Sequence, residues 1–448
     1  MSIELVAVLM VVSTVLLLMT GLPMAFALGT VGVGFALLLV GSSGMHILTF
    51  TLWGLMNNFI FIAIPLFLFM GVVLERSGLA DDLFHMIYLW AGPVRGGLAM
   101  GIVVICVIFA AMAGVSGAAT VSLGMIAVPS LLRRGYDKKL VTGTIQAGGA
   151  LGFLVPPSTT MIIYGLIGQV SVGKLYAAGV FPGLLLACLF IAYIGIRCLL
   201  QPSIGPAMPK EERTFTLKQK VASLRAIILP ALLIMGVLGS MFFGMATPTE
   251  AAGIGAAGAL VAAAIHRRLS FTMLKESLFR TGRITGMLIW IAFTALAYSA
   301  IFNFLGGGKL LHQLISSMQL GPWGVLIVFQ LIILILGCFI DDIALLFLLM
   351  PIYIPIIIEQ GFDPVWFGTL YVINAQMAFL TPPFGYNLFY MRAVTTELFN
   401  KGDITERITM GDIYRSIIPF VALQMTGLVL CMVFPQIALW LPNKLFGS

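Results

Sequence analysis

The chain has 448 residues, of which 60% are hydrophobic and only 9% charged, and its net charge is +7. Such a composition excludes a water-soluble globular protein, because several apolar runs exceed the roughly 20 residues that cross a bilayer. No basic block is long or interleaved with aromatics, so the positive charge does not mark a nucleic-acid-binding protein.

The N-terminus, MSIELVAV, lacks a basic region and a small-residue cleavage site, and so reads as a first span rather than a removed signal peptide. Ten spans are predicted, at 3–20, 23–41, 59–74, 140–168, 175–199, 226–244, 249–265, 284–304, 364–396 and 411–440. Two further apolar stretches, 97–132 and 321–358, carry Gly or acidic residues at their middle and read as re-entrant helical hairpins. The mixed segments 42–57 and 267–283 are expected to be helices along the membrane surface. Pro202, Pro206 and Pro209 fall in the longest polar interval, and 201–225 is the expected cytoplasmic linker between two halves, 1–200 and 226–448. The five cysteines show no CxxC spacing and the four histidines lie near span ends, which speaks against a disulfide framework or a zinc site.

The halves resemble each other. Residues 128–157 align without a gap on 354–383, with seven of 30 positions identical: Pro129/Pro355, Gly135/Gly361, Asp137/Asp363, Phe153/Phe379, Leu154/Leu380, Pro156/Pro382 and Pro157/Pro383. Gly21-Leu22-Pro23 faces Ala246-Thr247-Pro248 at nearly the same offset. If the N-terminus is outside, the segments 75–96, 133–139, 197–225, 266–283 and 392–415 share one side and hold 21 of the 24 Lys and Arg, the mark of the cytoplasmic face. Each half then has five spans and one hairpin, so the second half is inverted. The fold expected is an all-α polytopic membrane protein of two inverted repeats. The first has its hairpin at 97–132 and a broken span at 140–168; the second has them at 321–358 and 364–396.

Four interruptions carry the chemistry. The hairpins turn at 114–120 and 337–342, and the spans that follow break at 152–158 and 378–385. An unpaired backbone group in hydrocarbon costs several kcal/mol, so helices break only where protein, water or ions satisfy them. Proline frees carbonyls at these breaks, and freed carbonyls with Ser and Thr hydroxyls suit Na+. The half-helix N-termini beginning there suit an anionic group. Among the acids, Asp341 and Asp342 lie at the tip of the second hairpin and are candidates for the site. Glu250 reads either as a buried functional acid or as a helix cap behind Thr247-Pro248-Thr249. Asn374 and Asn387 bracket the second break and serve either a substrate or the broken backbone.

The run 114–124, the Gly135-Tyr136 turn, 152–158 with Tyr164, the 247–250 segment and the Thr381-Pro382-Pro383-Phe384-Gly385-Tyr386-Asn387 block resemble the large membrane subunit (DctM type) of TRAP transporters. The resemblance runs from the first span to the last. It implies a Na+-coupled secondary carrier of carboxylates, such as C4-dicarboxylates or sialic acid, in a bacterial or archaeal inner membrane; the charge pattern and the even number of spans place both termini on the periplasmic side. It also implies an elevator-type fold of the ion transporter superfamily, with transport and scaffold domains. The partners would be a small four-span membrane subunit and a secreted or periplasmic substrate-binding protein, in contact with membrane lipid. By the same resemblance, one Na+ site falls on Ala113, Ser116, Gly152, Val155 and Pro156, with Ala113 offering only a backbone oxygen. The other falls on Gly337, Ala378, Thr381 and Phe384, and substrate lies near Ser116, Thr120, Asp342, Asn374 and Asn387.

Other classes fit less well. A stand-alone Na+- or H+-coupled carboxylate carrier of the same superfamily is the nearest alternative. An intramembrane enzyme using Asp341 and Asp342 lacks a further acid and a second motif, and no phosphate-binding loop supports an ATP-driven pump.

Overall fold

Glycine, proline and capping side chains punctuate an otherwise continuous helical chain. The computed structural model describes residues 2–114, 116–209, 215–383 and 385–447, without the side chains of Ala113, Ser116, Ala118 and Ser316. Among the described residues every regular element is helical, and seven helices are long and apolar enough to cross a membrane. The protein is an all-α, multi-pass membrane protein.

In the first half, α1 (Ile3–Met19), α2 (Met24–Phe35), α3 (Ser42–Met56), α4 (Ala63–Arg76) and α5 (Leu79–Ala91) precede a hairpin of α6 (Gly97–Ala113) and α7 (Ser116–Leu132). The interrupted pair α8 (Lys138–Ala150) and α9 (Thr159–Gly168) follows, and then the long α10 (Val172–Leu200). A short α11 (Leu217–Ser223) leads into α12 (Arg225–Ile234), which a π turn joins to α13 (Ser240–Phe242). Next come α14 (Pro248–Ile265), α15 (Phe271–Phe304), α16 (Gly307–Ser317) and a second hairpin of α17 (Pro322–Gly337) and α18 (Asp342–Glu359). The chain closes with the interrupted pair α19 (Pro364–Ala378) and α20 (Tyr386–Asn400), then α21 (Met410–Val433) and α22 (Gln436–Phe446).

The residues identical between the halves have a shared local task. Asp137 caps α8 by accepting from Lys139 and Leu140 N–H, both at 3.0 Å, and Asp363 caps α19 through Val365 and Trp366 N–H at 2.7 and 3.1 Å. Each satisfies backbone donors that a helix start leaves unpaired. Gly135 and Gly361, at φ +77° and +82°, turn the chain out of α7 and α18 in the left-handed conformation. Glu250 is settled as a cap: it accepts from Thr247 N–H at 2.8 Å while Thr247 Oγ1 accepts from Glu250 N–H at 3.3 Å.

Two elements depart from expectation. Residues 271–283 do not form a separate surface helix but continue into the span, so α15 is one helix of 34 residues, about 50 Å long. In the first half Asn57 and Asn58 separate α3 from α4, and Asn58 Oδ1 caps the next turn through Ile60 N–H. No such cap stands at Arg283-Ile284, and the helix runs on. The expected span 411–440 is likewise interrupted, since α21 ends at Val433 and Phe434 leaves helical geometry (ψ 79°) ahead of Pro435. A residue before proline is driven from helical geometry by the proline ring.

Two packed groups result. One contains α1 to α4 with α14 to α16, built on the contacts of α4 with α14 and of α2 with α15. The other contains α6 to α10 with α17 to α22, where α7 and α21 pack on α8, α20 on α7, and α10 on α22. They meet where α15 touches α18 and α4 touches α6. Trp366 anchors the second group: it is buried, and its Nε1 donates at 2.8 Å to the Cys431 carbonyl near the end of α21, where helix carbonyls lack intrahelical donors. Trp366→Phe should therefore cost about 1–2 kcal/mol, seen as a lower thermal midpoint with unchanged helicity in circular dichroism. An unchanged midpoint would mean that water or a neighbouring donor replaces the indole.

Candidate functional site

Both hairpin tips pack on the break that follows them. Gly114, at φ +65°, turns the first hairpin, and its carbonyl accepts from Thr159 Oγ1 at 3.4 Å. The second hairpin turns between Gly337 and Asp342. Asp341 caps α18 by accepting from Ile343 N–H at 3.1 Å, and Gly337 packs against Ala378. In the breaks, the Pro156-Pro157 and Pro382-Pro383 peptides are both cis. Ser158 caps α9 through Met161 N–H and donates to the Phe153 carbonyl.

The two breaks also meet each other. Phe153 and Phe379, identical positions of the two halves, touch edge to face with centroids 4.9 Å apart. Thr160 Oγ1 donates to Asp342 Oδ2 at 3.0 Å, and Tyr371 OH donates to the Asp342 carbonyl at 2.8 Å. Asp342 is buried, so these bonds link the second hairpin tip to the half-helices of both breaks.

A cavity of about 310 Å³ lies where the two helical groups meet. One wall carries Gly114, Gly117, Phe153, Thr159, Asp341, Asp342, Phe379 and Tyr390 from the tips and breaks. The other carries Leu68, Gly71 and Val72 of α4 with Arg280, Ile284 and Leu288 of α15. Helices α7, α9, α18 and α20 begin around this region while α6, α8, α17 and α19 end there. Partial positive and partial negative helix ends are thus gathered around one cavity. Among the described residues no three His, Cys, Asp or Glu side chains converge, so the donors open to a cation are carbonyl and hydroxyl oxygens with the two carboxyls of Asp341 and Asp342.

The expected site residues divide as follows. Gly152, Val155 and Pro156 are buried in the first break beside the hairpin tip that bears Ala113 and Ser116, whose side chains lie outside the described residues. At the second break Gly337 and Ala378 are in contact, and Thr381 Oγ1 donates to the Met377 carbonyl at 2.7 Å; Phe384 lies outside the described residues. Asp342 lines the cavity. Thr120, Asn374 and Asn387 do not line it. Thr120 packs against Gly149 of α8, Asn374 Nδ2 donates at 2.7 Å to both the carbonyl and the Oε1 of Gln330, and Asn387 Nδ2 donates at 2.8 Å to the Gln146 carbonyl. Both amides tie helices of the broken pairs to their neighbours.

Three contributors escaped the sequence reading. Thr160 carries the bond to Asp342, and Tyr390 covers the cavity from α20. Arg280 lines the cavity and donates from Nη1 to Glu75 Oε1 at 2.9 Å. The available signal was the absence of any helix stop between Arg280 and the span at 284.

The fold agrees with what the chain is similar to. Residues 11–437 match the family model described as "Tripartite ATP-independent periplasmic transporter, DctM component". The C4-dicarboxylate TRAP transporter large permease protein DctM of Pseudomonas aeruginosa is 32% identical over 410 residues, covering 91% of this chain and 92% of that protein. The sialic acid TRAP transporter large permease protein SiaM of Vibrio cholerae is 28% identical over 440 residues, covering 96% of this chain and 97% of that protein. In fold, the chain resembles the crystal structure of the Alcanivorax borkumensis YdaH transporter, with a TM-score of 0.66 at 18% identity over 98% of this chain and 99% of that one. With nearly its whole length matched, the chain belongs to the DctM family, the DctM component of tripartite ATP-independent periplasmic transporters.

Proposed function

We propose that this chain is the large membrane subunit of a Na+-coupled importer of an organic acid in an inner membrane, with both termini on the periplasmic side. It works with a small four-span subunit and a substrate-binding protein that delivers the acid. The observation that carries this reading is the convergence of two hairpin tips and two helix breaks on one cavity between two helical groups. Carbonyls at Gly152, Val155, Pro156 and Ala378, the last shared with Thr381 N–H at 3.0 Å, suit Na+, and the start of α9 suits a carboxylate, since Asp341 and Asp342 already occupy the start of α18. Na+ binding orders the tips and completes the pocket. The group bearing the hairpins then moves against the group of α4, α14 and α15 to expose the cavity to the other side. No enzymatic step enters.

The test is uptake of labelled organic acids into proteoliposomes holding this chain, its small subunit and the binding protein, under a Na+ gradient with a K+ gradient as control. Uptake that needs Na+ and the binding protein supports the three-part carrier. Uptake without the binding protein points to a stand-alone carrier instead.

Thr381 sharpens the ion assignment. Its hydroxyl proton is directed at Met377, so its lone pairs remain open to a cation. Thr381→Val should raise the Na+ concentration at half-maximal uptake about tenfold, the equivalent of about 1.4 kcal/mol. Thr381→Ser should restore it, with the preference among acids unchanged. Wild-type Na+ dependence in Thr381→Val would remove Thr381 from the ion site.

A further inference from the structure

We propose that Arg280 receives the acid group of the substrate on its way between the cavity and the surface, and that Glu75 holds Arg280 in place when no substrate is present. The proposal rests on the reading of this chain as an organic-acid carrier and names a residue for it. Arg280 stands in the walls of two cavities. It closes one side of the inner cavity opposite Asp341 and Asp342, and it also lines a second, outer cavity of about 630 Å³ with Arg76, Lys275 and Arg283. Among the described residues of the outer lining, Glu276 is the one acid facing these cations, and it pairs with Arg76. The outer cations therefore draw an anion toward the mouth of the inner cavity, with Arg280 at the junction.

The bond to Glu75 is suited to exchange. Arg280 Nη1 donates to Glu75 Oε1 at 2.9 Å, while Glu75 Oε2 is buried and has no partner among the described residues. The pair is thus single-pronged, although a guanidinium and a carboxylate match best through two parallel bonds. The Glu75 side chain is 12% exposed and that of Arg280 37%, so Arg280 can turn into either cavity while Glu75 stays within the helix packing. An incoming carboxylate offers the two-pronged geometry that Glu75 does not provide here. Glu75 and the substrate then compete for one cation.

Competition fixes the signs of the variants. Arg280→Ala should raise the half-saturating concentration of acid about tenfold, and Arg280→Lys should recover part of that loss. Glu75→Gln removes the competitor and should lower it about threefold. If the pair were only a structural tie, both Arg280→Ala and Glu75→Gln would weaken binding, and that result overturns the proposal.

The measurement is equilibrium binding of labelled succinate and labelled sialic acid to the purified membrane complex in Na+ buffer. It is made in nanodiscs of zwitterionic lipid and again with anionic lipid added. The expected shifts appear in both. Shifts confined to the anionic-lipid discs would assign Arg280 to a lipid headgroup and overturn the proposal. Wild-type uptake is followed in parallel: its absence for both acids would overturn the carrier reading and this proposal with it. Normal wild-type uptake with unchanged binding in Arg280→Ala would overturn the proposal alone.

Discussion

Gly114→Ala should reduce uptake about a hundredfold while the chain still folds and inserts. Gly114 sits at φ +65°, where an L side chain costs about 1–2 kcal/mol. Crowding adds to this, because a Cβ at Gly114 would lie 2.6 Å from the Pro157 carbonyl oxygen. That oxygen belongs to the backbone of the paired-proline break and has no rotamer with which to yield. The first hairpin tip must lift off the break, and the Thr159 bond to the Gly114 carbonyl goes with it. Holding tip and break together against some 3 kcal/mol would leave about one molecule in a hundred competent. Gly21→Ala separates the two contributions, since Gly21 has φ +82° but nothing within 4 Å of its added Cβ. It should lower the thermal midpoint slightly and leave uptake near wild type. Wild-type uptake in Gly114→Ala would mean that the hairpin tip is not part of the transport site.

What was legible in the sequence was what short segments decide. Asp137 and Asp363 cap helices, Gly135 and Gly361 end them, and the paired prolines interrupt them, each through atoms a few residues away. The repeat made these signals readable twice. What stayed hidden depends on partners distant in sequence. Arg280 meets Glu75 across 205 positions, and Thr160 meets Asp342 across 182. The amide partners of Asn374 and Asn387 lie on neighbouring helices, which no local pattern identifies. The continuity of α15 was missed for a different reason. A mixed polar face marks a helix that meets both water and apolar surface, but it does not say whether that helix ends there.

Asp342 and Asp341 are adjacent, yet their substitutions should differ sharply. Asp341 acts on its own helix: its carboxylate accepts from Ile343 N–H, and Asn caps a helix about as well as Asp. Asp341→Asn should leave the thermal midpoint near wild type, so any loss of uptake reports the charge it presents to the cavity. Asp342 acts across the site, since Oδ2 accepts from Thr160 Oγ1 and the side chain is only slightly exposed. Asp342→Ala should cost both stability and at least a hundredfold in uptake. It leaves the buried Thr160 hydroxyl without its acceptor, a loss of about 1–3 kcal/mol, and opens the cavity wall. Asp342→Asn keeps an acceptor oxygen for Thr160 but no charge. Its stability should stay within about 1 kcal/mol of wild type while uptake falls as far as in the alanine variant. The reason is electrostatic. In a cavity screened from water, a bound Na+ favours the ionised form of Asp342, and that carboxylate in turn holds the ion where carbonyls alone bind it weakly. Thr160→Val completes the comparison, leaving the charge and removing the donor. It should cost about 1.5–3 kcal/mol in stability, with uptake reduced but measurable. Near-normal uptake in Asp342→Asn would make Asp342 a tie between half-helices and shift the electrostatic task to Asp341 alone.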